Sequence, residues 1–124
     1  GLTVAPLVGP VSLMLALAAS GLNGQQFAFV GYLPQESSAR AQRIRELEAL
    51  ALRSGQTQIF IETPYRNPAL LQSLLECLQP HTRLALGVGL NLPQQAIHSA
   101  QVSVWKQQRP ALPLELPTVF LLGR

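Results

Sequence analysis

Glu62, Thr63, Tyr65 and Arg66 place a carboxylate, a hydroxyl, a phenol and a guanidinium within five residues, in a chain of which only 12% is charged. They follow directly on the apolar run Ile59-Phe60-Ile61. Groups just beyond strand ends are where open α/β sheets collect ligand contacts. A local Glu62–Arg66 ion pair with Tyr65 lying on the surface accounts for the same residues without a ligand. A second candidate opens the chain at Gly9-Pro10-Val11-Ser12. Gly9 permits a sharp turn and Pro10 pre-sets the first helical φ. The N–H groups of Val11, Ser12 and Leu13 then face outward unpaired, beside the Ser12 hydroxyl. Such a concavity suits a carboxylate, a phosphate or a ribose. Ser12 can equally satisfy its own helix end.

Other reactive residue types are sparse. There is no Asp, and the single Cys77 lies in the apolar sequence Leu74-Leu75-Glu76-Cys77-Leu78, where core packing is expected. One cysteine excludes an internal disulfide and fits a reducing compartment. His81 and His98 stand apart with no ligand spacing, so no metal site is expected. No Ser-x-x-Lys, Gly-x-Ser-x-Gly or phosphate-loop motif occurs. The net charge of +3 comes from eight Arg and one Lys against six Glu. It is compatible with an anionic partner such as RNA without demanding one. Arg40, Arg43 and Arg45 crowd one helix start, where Glu46 and Glu48 neutralise part of their charge, as on a solvated face.

The elements that position these residues alternate along the chain. Residues 2–8 read as a strand and 10–20 as a helix stopped by Gly21. Residues 27–33 read as a second strand. Ser37 or Ser38 is expected to cap a helix running to about Arg53, with Ala41, Ile44, Leu47 and Ala51 as its apolar stripe. Residues 58–62 form a third strand, and Asn67-Pro68 suits the cap and first turn of a helix over 68–78. Strands over 84–89 and 95–102 follow, with a short helix at 104–108, a proline-punctuated connector over 110–117 and a last strand over 118–122. Hydrophobic residues make up 48% of the 124. That content suggests a sheet buried on both faces or a surface that another domain covers, and the alternation of elements predicts one α/β domain with a mixed sheet flanked by helices. The run 11–19 is too short to span a bilayer, and a cytoplasmic protein is expected.

Together these segments resemble the tetrapyrrole-methylase superfamily of S-adenosylmethionine-dependent methyltransferases, nearest its ribosomal RNA small-subunit methyltransferase I branch. The resemblance rests on Pro6-Leu-Val-Gly-Pro-Val-Ser12, Phe29-Val-Gly-Tyr-Leu-Pro34, the Arg-rich helix, Ile59-Phe-Ile-Glu-Thr-Pro-Tyr-Arg66 and Pro117-Thr-Val-Phe-Leu-Leu122. It covers the whole chain but only the C-terminal half of such an enzyme. It implies a two-domain homodimer that binds S-adenosylmethionine between its halves, with residues 1–124 as the C-terminal domain, built on a mixed, mostly antiparallel sheet of about five strands, and the N-terminal domain absent. The family's cofactor contacts then match Pro10, Ser12, Thr63, Leu90, Pro117 and Thr118. Glu62, Tyr65 and Arg66 would flank the same cleft on the substrate side. No general base is evident, and the catalytic residues are unassigned. Two departures point to a paralogue with another acceptor. Tyr65 stands where the rRNA enzymes commonly have His, and Val88-Gly89-Leu90-Asn91 replaces their Arg-Glu-Leu-Thr. As a fragment the chain is expected to be inactive. Other readings are an RNA-binding module built on Arg40, Arg43, Arg45, Arg53 and Arg66, or a dimerisation domain.

Overall fold

The computed structural model describes residues 16, 17, 20–22, 25–90 and 92–124. The expected strand over 2–8 and the Gly9–Ser12 turn, with Pro10 and Ser12, lie outside the described residues, as does Asn91. Of the expected 10–20 helix, Ala16, Leu17 and Ser20 are described and helical.

The elements follow as β1 (Phe27–Tyr32), α1 (Ser37–Ser54), β2 (Thr57–Ile61), a 3-10 turn (Pro64–Arg66), α2 (Asn67–Cys77), β3 (Arg83–Val88), β4 (Ala96–Gln101), α3 (Val102–Gln107) and β5 (Thr118–Gly123). The five strands form one sheet in the order β1-β2-β5-β3-β4. Only β1–β2 is parallel; β2–β5, β3–β5 and β3–β4 are antiparallel. The mixed, mostly antiparallel sheet is as expected, with element bounds shifted by one or two residues.

Period-two alternation sorts the strands onto two cores. Phe60, Leu84, Leu86, Val88, Phe120 and Leu122 face α1, α2 and α3. Ile59, Ala85, Val119 and Leu121 face the other way, against Ala16 and Leu17. On the first face the Phe60 and Phe120 rings stack at 5.7 Å. Trp105 of α3 is fully buried and donates from Nε1 to Leu84 O at 2.8 Å. The His98 ring meets the Trp105 ring at 4.6 Å and near a right angle. Cys77 packs half-buried against this core.

Three local expectations are corrected. Glu36, not Ser37 or Ser38, caps α1, its carboxylate accepting from Ser38 N at 2.8 Å and Ala39 N at 2.9 Å. A carboxylate matches the positive helix end better than a hydroxyl does. Glu48 is buried rather than on a solvated face, because its Oε2 accepts from Gln79 N at 2.8 Å and from the Thr82 hydroxyl. Asn67 does not cap α2; the 3-10 turn runs straight into the helix, and the Asn67 side chain goes elsewhere.

Phe27, Phe29 and Tyr32 of the edge strand β1 are exposed, unlike Phe60. Phe60→Ala is expected to cost about 3–5 kcal/mol, and Phe27→Ser only about 0.5 kcal/mol, in denaturant unfolding. The backbone N–H bonds of Ser38 and then Ala39 hold the Glu36 carboxyl below its ordinary value of 4.5. A lowered folded-state pKa stabilises above the unfolded value, and that contribution disappears as pH falls through the folded one. Wild type is therefore expected to exceed Glu36→Gln in thermal stability by a constant margin above pH 4.5, and the gap should close on acidification below it.

Candidate functional site

The sheet register brings the sequence-predicted residues to one end. Tyr32 is level with Ile61, Ile61 with Val119, and Val88 with both Thr118 and Ala96. The C-terminal ends of β1, β2 and β3 therefore meet the start of β5, and Glu62, Thr63, Leu90, Pro117 and Thr118 converge from three separate stretches of chain. Arg66 stands on the 3-10 turn beside Thr63, and Tyr65 projects away.

Glu62 is buried just past the end of β2. Its Oε1 accepts from Thr63 N at 2.8 Å and lies 3.5 Å from Thr63 Oγ1. The Arg66 guanidinium lies 4.0 Å from the same oxygen and donates to Thr63 Oγ1 at 3.4 Å. A carboxylate removed from water is held here by one N–H bond, one long hydroxyl bond and one half-buried cation. Tyr65 is 83% exposed, with the Arg66 guanidinium carbon 5.5 Å from its ring centre. The local ion pair and surface tyrosine read from the sequence are both present, just past the end of β2.

The start of β5 is tied on both sides. Gly89 N donates to Pro117 O at 2.8 Å, and Thr118 Oγ1 donates to Leu116 O at 2.9 Å. Gly89 turns the chain out of β3 with φ +60°, and a Cβ there would stand 3.0 Å from Leu116 Cδ1. An L side chain is disfavoured on both counts. Leu90 folds back over Gly87, where a Cβ would meet its methyl groups and Ala16 Cβ at 3.3 Å.

Two further contributors escaped sequence reasoning. Asn67 is fully buried, and its Nδ2 donates to Leu114 O at 2.9 Å and Leu116 O at 3.2 Å. Gly89 fixes the turn after β3. The Gly after an apolar run was a visible signal for the latter, whereas nothing local distinguishes Asn67 from a cap. The arginine cluster is partly occupied. Arg40 Nε donates to Ser73 Oγ at 3.1 Å, and Arg43 pairs with Glu46 at 3.3 Å. Among the described residues no group of three or more His, Cys, Asp or Glu could hold a metal ion, and no helix is long and apolar enough to cross a membrane.

The fold recurs in solved methyltransferases. The structure of the methyltransferase CobJ matches 90% of this chain and 47% of its own, with a TM-score of 0.52 and 24% identity. The cobalt precorrin-4 methyltransferase CbiF, a cobalamin biosynthetic enzyme, matches 91% of this chain and 48% of its own, at 0.57 and 9%. At those identities the likeness establishes the fold. No family model matches the chain. The chain has the fold of the tetrapyrrole methyltransferases.

In sequence, the chain is similar to proteins named ribosomal RNA small subunit methyltransferase I. That of Vibrio cholerae is 33% identical over 108 residues, 85% of this chain and 36% of that protein. The Escherichia coli O157:H7 protein is 31% identical over 82% of this chain and 34% of its own length. The Mesorhizobium japonicum protein is 36% identical over 70% and 28%. The chain thus spans about a third of the length of these relatives.

Gly89→Ala is expected to cost about 1–3 kcal/mol in denaturant unfolding, from the left-handed φ and the crowding of Leu116. A variant as stable as wild type would show that the connector gives way freely.

Proposed function

We propose that this chain is the C-terminal half of an S-adenosylmethionine-dependent methyltransferase and forms one wall of its cofactor cleft. The supporting observation is the convergence of Glu62, Thr63, Leu90, Pro117 and Thr118 at one sheet end, in a fold shared with methyltransferases. The donor set fits an adenosyl group. The half-buried Thr63 hydroxyl suits a ribose hydroxyl, and the Pro117–Thr118 backbone with Leu90 offers an edge and an apolar surface for a flat base. Pro10 and Ser12 belong to the same wall in this reading, and an N-terminal domain supplies the other.

S-adenosylmethionine supplies a methyl group already activated on a cationic sulfur. This chain's residues then need only bind and orient, and alignment of donor and acceptor can provide much of the rate. Arg66 holds Glu62 and Thr63 in place. Tyr65 and Arg66 present a stacking face and a cation on the substrate side, which suits an unpaired nucleotide. We take small-subunit ribosomal RNA as the acceptor, from the relatives' name, its ribose as the methylated group, from the family resemblance, and a cytoplasmic homodimer as the working form. A different small-molecule acceptor is the second reading, favoured by the absence of charged side chains between Val88 and Gln95.

Calorimetry with S-adenosylmethionine tests the proposal. The full-length protein is expected to bind and to methylate small-subunit RNA, whereas this chain alone should show no turnover and no submillimolar affinity. Thr63→Ala in the full-length protein should weaken binding about tenfold, the loss of one hydrogen bond. Submillimolar binding to this chain alone would overturn the shared cleft. Cofactor binding without RNA methylation would favour the second reading.

A further inference from the structure

We infer that Asn67 is a positioning residue for the cofactor wall: it clips the 110–117 connector so that Pro117 and Thr118 stand level with the ends of β2 and β3. This rests on the methyltransferase reading above. Asn67 has no solvent-exposed surface, so its amide has to find partners within the protein. Both bonds from its Nδ2 go to one short segment of irregular chain, to Leu114 O and Leu116 O, 47 and 49 residues further on. Leu116 O also accepts the Thr118 hydroxyl, and the neighbouring Pro117 O accepts Gly89 N–H. One set of bonds therefore runs from the start of α2 through the connector to the head of β5 and the turn after β3.

A residue serving its own helix would spend its side-chain oxygen on an N–H of the first turn. Asn67 makes no such bond; its Oδ1 is buried with no partner. Leaving a buried carbonyl unpaired is costly, and the bonds gained in exchange all fall on the connector. The proline-punctuated connector has no strand or helix of its own, and Asn67 supplies it with two of its anchors. The side chain does not enter the proposed cofactor site, so its part is to hold the backbone that does.

The test uses the full-length protein with Asn67→Asp, which turns the donor into an acceptor facing two carbonyls at unchanged size, and Asn67→Ser, which retains one donor. S-adenosylmethionine affinity is measured by calorimetry, and amide hydrogen exchange is followed at Gly89 and at Ile44 and Leu47 of α1. For Asn67→Asp we expect the cofactor Kd to rise about tenfold or more, as loss of one or two net hydrogen bonds implies. Gly89 should exchange faster while α1 is unchanged, and turnover at saturating cofactor should stay within about twofold, since the donor–acceptor alignment is intact once the cofactor is seated. Asn67→Ser should fall between. Unchanged exchange at Gly89 overturns the clip. Faster exchange at Gly89 with an unchanged Kd overturns its role toward the cofactor. Equal acceleration at Gly89 and α1 makes Asn67 a general stability residue and also overturns the inference. If wild type fails to bind S-adenosylmethionine, the methyltransferase reading itself falls, and the exchange pattern still decides whether the clip exists.

Discussion

β5 lies between β2 and β3, hydrogen-bonded antiparallel to both, and all six of its residues are buried. Neither edge is free to slide and neither face is free to turn. Phe120 and Leu122 fill the core under α1, α2 and α3, and Val119 and Leu121 fill the core against Ala16 and Leu17. A slip of one residue would exchange these sets. It would drive Phe120 into a face where Ala85 and Gly87 leave little room. The position of Thr118 is therefore settled by burial, and with it the place where the connector must arrive.

Buried polar groups are few among the described residues, and each has its own surroundings. Glu48 and Glu62 are both buried carboxylates, and their surroundings differ. Glu48 accepts a backbone N–H and a hydroxyl from the loop before β3, which pins that loop to α1. Glu62 accepts a short N–H bond and a long hydroxyl bond, both from its immediate neighbour, and is balanced by the half-buried Arg66. The first is a structural staple; the second sits just past a strand end, the kind of edge that α/β folds use for binding.

Much of this was legible in the residue order. The apolar runs at 27–33, 58–62, 84–89 and 118–122 announced strands, and the spacing of Ile44, Leu47 and Ala51 announced the face of α1 that is in fact buried. Thr63, Leu90, Pro117 and Thr118 were reached through a family resemblance rather than through spacing, since they lie far apart in the chain. The cap of α1 was missed by one residue because Glu36 competes with two adjacent serines that look better by type. Glu48 was misread because a glutamate beside arginines on a helix usually faces water, and only its packing against the loop at Gln79–Thr82 shows otherwise.

Alternating hydrophobicity and turn residues are short-range signals, so the residue order was enough for the fold class and, from Phe27 onward, for the sequence of elements. Which partner a polar side chain takes is a long-range matter, decided by strand register and by burial once the sheet has closed. Asn67 followed by Pro68 carries every local mark of a helix cap. It became an anchor for residues 47 and 49 positions away because the closed sheet delivers the Leu114 and Leu116 carbonyls, otherwise without a strand partner, to its amide.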